Sequence, residues 1–485
     1  MKLKNLSIRK KARLFREGLT GLALCLLLTG CGPAGVGNTG DTDGTGGSAS
    51  VGTSASTSTV GGETGSETVD DYVPVYTAPE DSTLPCVFIE TEDGKAITST
   101  TRYLDATLTV TGAKYAHYNI TTETQIRGRG HSSFEAKAEL NDYNSKNSYR
   151  LKLKEKTNLL GIGETADKDW VLISGKFDVS ALRNYLVWHL AEGLGTIPYV
   201  PTCTWVNVYL NGDFRGMYTL AEKIEVASDR VDIDESPSTD PNTVGYLVEY
   251  DLRGAYQSGA QLGLTYFYIP GLDETFAWTI KSEVYNTEVT AAIREHLIAC
   301  NEAIFSGNRS WMEEYVDMDS FVDMFILQEL TKNPDAGCSS FYMQRDAGGK
   351  LCLTAPWDFD FAMGAYSVST HTSGLVADGT GVMSHPWFEF LVTQPWFMNM
   401  VLQRMEEIEP LVERTLEAME DMIPLLEEAA DDNHLRWNLY GKKFSIYPSD
   451  QVSLDRDSYE DHVDFLISWV DKRWDKLEKE VKALT

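Results

Sequence analysis

Acidic side chains on either side of a predicted β-hairpin are the residues of this sequence best suited to chemistry. Asp335 lies on the loop that follows a predicted helix, and Asp358 and Asp360 stand at the exit of the hairpin. The hairpin can bring carboxylates that are distant in sequence to one site, where a divalent cation would relieve their repulsion. Solvated loop acids are the alternative interpretation, but such acids rarely need large apolar neighbours, and Trp357 and Phe359 flank Asp358.

A helix, a loop with an Asp, a hairpin and a further Asp follow one another here, and protein kinases have the same order. In those enzymes an Asp on the catalytic loop accepts the proton of the substrate hydroxyl. An Asp after the next hairpin binds the Mg²⁺ that bridges the phosphates. The arrangement therefore favours phosphoryl transfer.

A second segment, Arg127 to Ser133, reads Arg-Gly-Arg-Gly-His-Ser-Ser. Its glycines would let backbone N–H groups approach phosphate oxygens, and its arginines and hydroxyls would add donors. The segment matches neither G-x-G-x-x-G nor a Walker A loop, so an ordinary tight turn is the alternative. Lys152 follows about twenty residues later in an alternating strand, where a phosphate-binding lysine would lie. A solvated strand lysine is the alternative for Lys152, and Lys154 is a competitor on the same face.

The elements that must position these residues change in type along the chain. Alternating apolar residues and an Asn211-Gly212 turn predict strands in the first half, whereas helical spacing predicts helices after about residue 285. Asp178 is the candidate N-cap of the first helix. The predicted strands lie within a β-region at 73–125 and at 148–154, 170–173, 205–210, 216–220 and 245–250. The strands of the predicted hairpin are 340–344 and 351–354. The predicted helices are 178–194, 287–305, 318–331, 396–429 and 458–484. We predict an α+β fold with a strand-rich N-terminal half and a helix-rich C-terminal half.

The N-terminus has the parts of an export signal. Basic residues precede an apolar run, Gly21 to Leu28, which is too short to cross a bilayer as a permanent helix. Leu28-Thr29-Gly30-Cys31 resembles the bacterial lipobox, in which the cysteine is lipidated and becomes the mature N-terminus. We therefore expect residues 1–30 to be a lipoprotein signal peptide. A plain signal peptide with an incidental cysteine is the alternative.

The segment that follows the signal supports an anchored, extracytoplasmic protein. Residues 31–72 are mainly Gly, Ser and Thr with scattered acids, a composition that cannot bury enough apolar surface to fold. We predict a disordered tether between a lipid on Cys31 and the folded part. The protein is then expected on the outer side of the cell membrane.

Composition disfavours several classes of partner and site. The formal net charge of −30 repels nucleic acid and anionic lipid at long range, and loss of residues 1–30 would bring it to about −36. Five of the seven cysteines follow Cys31 and form no C-x-x-C pair, which disfavours zinc or thioredoxin-like chemistry. The absence of H-E-x-x-H and G-x-S-x-G disfavours a hydrolase.

Many short segments in order resemble the CotH kinase family, a group of atypical protein-kinase-like proteins similar to spore coat protein H. The matching segments are Arg127–Ser133, Lys146–Lys154, Asp169–Leu172, Asp178-x-Ser180-x-x-Arg183-Asn184, Tyr209–Gly212, Arg215–Lys223, Gly245–Leu247, Asn333-x-Asp335 and Pro356–Asp360. The resemblance covers roughly residues 85–400. It implies an atypical protein-kinase-like fold in which residues 126–395 are the kinase-like domain and residues 396–485 are a helical part packed on it.

The resemblance also implies an activity and a set of site residues. The activity is phosphorylation of Ser or Thr in surface or spore coat proteins, with ATP and Mg²⁺ or Mn²⁺. Asp335 would be the general base, Asp358 a metal ligand and Asp360 an assisting one. Glu222 would either orient a lysine or contact the nucleotide. The residues implied to hold the nucleotide phosphates are Arg127, Gly128, Arg129, Gly130, Ser132 and Lys152.

One departure from the kinase pattern leaves the number of metal ions open. Kinase-like catalytic loops carry Asn five residues after the catalytic Asp, as a second metal ligand, and here that position is Ser340. A hydroxyl is a weaker ligand than a carboxamide oxygen, although Asp360 could supply charge instead. A catalytically weak or inactive cell-surface binding protein that keeps the fold is therefore the alternative function.

Overall fold

The computed structural model describes residues 82–137, 143–163, 165–252, 261–283, 285–365, 369–377, 384–441 and 456–485. The predicted signal peptide, the tether and Cys31 lie outside these ranges. Among the described residues no helix is long and apolar enough to span a membrane.

Seven strands of the first half close into a barrel with the order β1-β2-β3-β4-β5-β7-β6. β1 pairs with β6 in parallel, and the other barrel pairs are antiparallel. Leu151 and Leu153 point into the apolar core of the barrel, whereas Lys152 between them is exposed. The strands are β1 Cys86–Thr91, β2 Leu104–Thr111, β3 Ile120–Arg129, β4 Ser148–Thr157, β5 Asp167–Ile173, β6 Cys203–Leu210 and β7 Asp213–Glu222.

The barrel joins two regions that the sequence analysis separated. The predicted boundary between residues 125 and 126 falls within β3, so the N-terminal β-region and the start of the predicted kinase-like domain form one closed sheet. Alternation in the sequence predicts strands in this half of the chain, but it carries no signal for the parallel pairing of β1 with β6. The closure was therefore not predicted.

The second half combines helices with a five-stranded sheet of order β12-β11-β8-β10-β9. The strand-rich first half and helix-rich second half are confirmed. The sheet strands are β8 Tyr246–Asp251, β9 Tyr266–Phe267, β10 Ala277–Ile280, β11 Phe341–Arg345 and β12 Cys352–Thr354. The helices are α1 Arg183–Leu194, α2 Thr287–Phe305, α3 Arg309–Tyr315, α4 Met318–Thr331, α5 Pro386–Leu391, α6 Pro395–Trp437 and α7 Tyr459–Lys482.

Two helix boundaries differ from the prediction by more than two residues. α1 begins at Arg183, because the Asp178 carboxylate accepts hydrogen bonds from the backbone N–H groups of Ser180 (3.1 Å) and Arg183 (2.9 Å) in a turn before the helix. Asp178 is therefore not the N-cap. α6 continues to Trp437, eight residues beyond the predicted end at 429, and tolerates Pro410 and Pro424 within it.

The long helix α6 connects the helical half to the barrel. Its Arg404 guanidinium forms an ion pair with Asp323 of α4 at 2.8 Å. At its other end the Trp437 indole donates to the Arg215 carbonyl of β7 at 3.0 Å. Gly216 has a φ of +88°, and a Cβ there would lie 2.1 Å from Asn433 Oδ1 of α6, so this close approach requires glycine.

A buried ion pair fixes residues 376–377, which follow the loop that carries Asp358 and Asp360. Glu329 of α4 accepts hydrogen bonds from the backbone N–H groups of Val376 and Ala377, each at 2.7 Å. Arg473 of α7 is fully buried and contacts the Glu329 carboxylate at 3.3 Å. The carboxylate thus joins α4, α7 and residues 376–377.

We predict that Glu329→Ala lowers the free energy of unfolding by about 3–5 kcal/mol, because it leaves the buried Arg473 charge and two N–H groups without this acceptor. Urea denaturation measures the change. Glu313→Ala is the matched control, since it removes an exposed carboxylate that pairs with Arg309 at 2.7 Å, and it should cost less than about 1 kcal/mol. Equal, small effects of both substitutions would contradict the prediction.

Candidate active site

The loop after β12 carries Asp358 and Asp360, and its residues 356–363 are called the acidic loop below. The first two turns of α1 hold this loop. Four hydrogen bonds link side chains of this helix to the backbone of the loop, three donated by the helix side chains and one accepted by Asn184. They are Trp188 Nε1 to the Pro356 carbonyl (2.7 Å), Phe359 N to Asn184 Oδ1 (2.9 Å), Arg183 Nε to the Ala362 carbonyl (3.0 Å) and Arg183 Nη2 to the Met363 carbonyl (3.3 Å). The path of the acidic loop is therefore set by a helix that begins more than 170 residues earlier in the chain.

The two carboxylates of the loop have different surroundings. Asp358 is half-buried, and the Ser340 hydroxyl donates to its Oδ2 at 3.3 Å. Asp360 is buried, and the side-chain amide of Asn184 donates to its Oδ1. The hairpin thus brings Ser340 to Asp358, and α1 brings a carboxamide to Asp360.

Charge accumulates around Asp360. Burial, together with the nearby carboxylates of Asp358 and Asp178, raises the pKa of Asp360 to about 8, while the Asn184 hydrogen bond and the Arg129 charge act in the opposite direction. Burial and neighbouring carboxylates favour the neutral form of such an acid, and a bound cation would favour its ionised form. Perturbed acids of this type are concentrated at functional sites.

The backbone around the site is unusual. Five of the ten non-glycine residues with positive φ in the described chain lie between residues 332 and 363. They are Lys332 (48°), Ser340 (56°), Ala355 (45°), Asp358 (67°) and Met363 (50°). Left-handed non-glycine residues cost free energy and persist where surrounding contacts determine them, commonly at functional sites.

Asp335 lies half-buried on the turn that connects α4 to β11. Its backbone N–H donates to Asn333 Oδ1 at 3.1 Å, and the Cys338 thiol donates to its Oδ1 at 3.6 Å. Lys332 ends α4 in the left-handed conformation immediately before this turn. The same turn leads directly to Ser340, so Asp335 is held on the segment that enters the site.

Within the segment Arg127–Ser133, Arg129 reaches the acidic loop. Its guanidinium lies 4.9 Å from the centre of the Trp357 ring, and its charge acts on Asp360. Arg127 instead donates to the carbonyls of Thr100 and, at 3.1 Å, Gly128.

The glycines of this segment have packing roles in the structure. A Cβ on Gly128 would lie 2.2 Å from the Phe134 ring, and Gly130 has a φ of +91° with Ser133 Oγ 1.9 Å from its ideal Cβ position. Ser132 is exposed. Chain packing thus accounts for both glycines, and Arg129 is the member of the segment that contacts the loop.

Lys152 lies on the exposed outer face of the barrel. Ser148 of β4 is the residue that pairs with Arg129 of β3. Lys152 lies four residues further along β4, which corresponds to about 13 Å in a strand. Lys154 forms an ion pair with Glu123 of the neighbouring strand. The structure therefore places Arg129, and neither of the two lysines, against the acidic loop.

Glu222 is buried at the end of β7. Its Oε2 accepts hydrogen bonds from the Thr202 N–H at 3.0 Å and the Tyr199 hydroxyl at 3.2 Å, and burial raises the pKa of this carboxyl. These contacts hold the segment before β6. Neither of the two predicted roles, orienting a lysine or contacting a nucleotide, is among them.

The described residues contain no group of three or more His, Cys, Asp or Glu side chains arranged to hold a metal ion. Mg²⁺, however, is usually bound through one or two carboxylates together with water and substrate phosphates. The pair Asp358 and Asp360, with the Ser340 hydroxyl between the hairpin and the loop, fits a site of that kind. Arg129 would face the phosphates.

Asn184 and Arg183 are the site residues that sequence reasoning did not assign. They were part of the segment Asp178-x-Ser180-x-x-Arg183-Asn184 that carried the family resemblance. The sequence indicated only that two polar residues lie in the first turns of a predicted helix. Their partner could not be identified without the tertiary structure.

Comparison with known proteins supports the resemblance. The family model described as CotH kinase protein matches residues 126–477 of the chain. The match begins in β3, covers the acidic loop and ends within α7. A search of curated proteins finds no match.

Proposed function

The chain belongs to the CotH kinase family, and on that premise we propose that it is an extracytoplasmic protein kinase that transfers phosphate from ATP to Ser or Thr hydroxyls of surface or spore coat proteins. The observation that supports this most strongly is the acidic loop, in which Asp358 and Asp360 lie beside Ser340 and Arg129. An atypical protein-kinase-like fold is part of the proposal.

The proposed roles follow from the positions of the side chains. Mg²⁺ or Mn²⁺, when bound, would neutralise the negative charge of the phosphates. Asp358 and Asp360 would hold the ion, and Arg129 would face the phosphate oxygens as a bidentate donor. Asp335 would accept the proton of the substrate hydroxyl. The substrate oxygen forms a bond to the γ-phosphorus, the bond to the β–γ bridging oxygen breaks, and ADP leaves.

A cell-surface binding protein without transfer activity is the second candidate. Ser340 contacts Asp358 where kinase-like loops carry a carboxamide, so one metal ligand is weaker than in the kinase pattern. Calorimetry distinguishes the two functions, since tight Mg²⁺-dependent binding of ATP favours the kinase. Weak ATP binding that ignores Mg²⁺ favours the binding protein.

We further propose that the protein is held at the membrane by lipid on Cys31. The basic start, the short apolar run and the Leu-x-Gly-Cys ending support this location. A source of ATP on that side of the membrane is then required. ATP would be present at a stage when the outer face of the membrane is in contact with a cytoplasm, as it is on a forming spore.

The transfer reaction tests the proposed roles directly. With labelled ATP and Mg²⁺ or Mn²⁺, the purified chain should phosphorylate a surface-protein extract or itself. Asp358→Ala should abolish incorporation, and Asp335→Ala should lower it by at least about 100-fold, the usual contribution of a general base. Asp319→Ala, an exposed aspartate at the start of α4, is the control and should retain wild-type activity. No incorporation in either metal, or equal activity of Asp358→Ala, would contradict the proposal.

Substitution of Arg129 and of Lys152 tests which of the two residues contacts the phosphates, since the structure favours Arg129 and the sequence favoured Lys152. Arg129→Met should weaken Mg²⁺-ATP binding by about 10-fold or more, because a charge-assisted contact contributes about 1.5–3 kcal/mol. Lys152→Met should leave the dissociation constant within about twofold. Calorimetric titration measures both. A larger loss for Lys152→Met would show that the nucleotide lies along the outer face of the barrel.

Lipidation can be tested with two cysteines of the N-terminal segment. Cys31→Ala should abolish incorporation of labelled palmitate and move the protein from the detergent phase to the aqueous phase. Cys25→Ala is the matched control, since Cys25 lies within the apolar run that would be removed. An unlabelled wild-type protein would indicate a plain signal peptide.

A further inference from the structure

Asn184 makes two hydrogen bonds to the acidic loop with the two ends of one amide. Its Oδ1 accepts from the Phe359 N–H at 2.9 Å, and its Nδ2 donates to Asp360 Oδ1. The amide therefore fixes both the backbone between the two aspartates and the side chain of one of them. A shorter or apolar side chain at this position could not make both contacts.

The first turn of α1 is itself held in place, so Asn184 has a firm support. Arg183 forms a buried ion pair with Asp178, and its backbone N–H donates to the same carboxylate at 2.9 Å. The Tyr459 hydroxyl of α7 donates to the Ser180 carbonyl at 3.0 Å. The turn before α1 is thereby attached to the C-terminal helix.

The other hydrogen bonds that α1 side chains donate to the described part of the loop reach backbone carbonyls. Arg183 holds the carbonyls of Ala362 and Met363, and Trp188 holds that of Pro356. Among these contacts Asn184 alone reaches a carboxylate of the loop. Its half-buried position leaves it at the border between the packed helix and the open site.

We propose that Asn184 is a positioning residue that orients the Asp360 carboxylate for the divalent cation, an inference that rests on the proposed function. The hairpin carries Ser340 where kinase-like loops carry a carboxamide, and here a carboxamide reaches the site from α1. It acts through Asp360, because its oxygen is engaged by the Phe359 N–H. Removing partners that orient metal ligands typically lowers metal affinity 10–100-fold.

The proposal is tested with Mn²⁺ and a non-hydrolysable ATP analogue on the full chain. Free Mn²⁺ is followed by electron paramagnetic resonance, and hydrogen exchange of residues 356–363 is followed by mass spectrometry. Asn184→Ala should raise the Mn²⁺ dissociation constant about 10–100-fold and speed exchange at Phe359. Asn184→Ser, which keeps a polar group too short to reach Asp360, should do the same and serves if the alanine variant does not fold.

Tyr185→Ala is the matched control. Tyr185 is the next residue of α1 and is half-buried, but its ring packs on Trp205 with 4.8 Å between centroids. This variant should lose stability while keeping the Mn²⁺ dissociation constant within about twofold. A purely structural role for Asn184 predicts instead that folded variants at both positions bind Mn²⁺ alike, and that result overturns the proposal. If the wild-type chain binds no Mn²⁺ with the analogue, the proposed function itself fails.

Discussion

The site depends on holding two carboxylates together that repel each other. Asp358 and Asp360 lie two residues apart on one loop, and Asp178 adds a third carboxylate near Asp360. The Asn184 amide, the Ser340 hydroxyl and the Arg129 guanidinium each supply a donor or a positive charge from a different element. A cation would complete the compensation, as the proposed function requires.

Much of the architecture can be understood as support for these donors. The barrel places Arg129 at the end of β3, and the hairpin places Ser340 beside the loop. At the C-terminal end of α1, Arg404 of α6 donates to the Leu194 carbonyl at 2.9 Å. The buried Arg473 of α7 contacts both the Glu329 carboxylate and, at 2.9 Å, its backbone carbonyl near the end of α4. The site is thus fixed by the packing of both halves, and the left-handed residues around it remain stable.

The sequence predicted what depends on local pattern. The ends of α2 and α4 and the Asn211-Gly212 hairpin follow from apolar spacing and turn residues, and the structure has them at those positions. The order of helix, hairpin and acids also indicated the loop of Asp358. Contacts between remote segments carried no such signal. The closure of the barrel through β1 and β6, and the pairing of Asn184 with Asp360, join residues more than 100 positions apart. Lys152 lies in a strand, as predicted, and strand alternation places its side chain on the exposed face.

In the proposed function, the acidic loop binds a divalent cation together with the phosphates of ATP. Anomalous diffraction at the manganese edge, from crystals of the chain grown with Mn²⁺ and a non-hydrolysable ATP analogue, tests it most directly. We expect a manganese peak in contact with the carboxylates of Asp358 and Asp360, with the phosphates between the manganese ion and Arg129. The proposed function would be wrong if manganese and nucleotide bound elsewhere on the chain, or if neither was present at this loop.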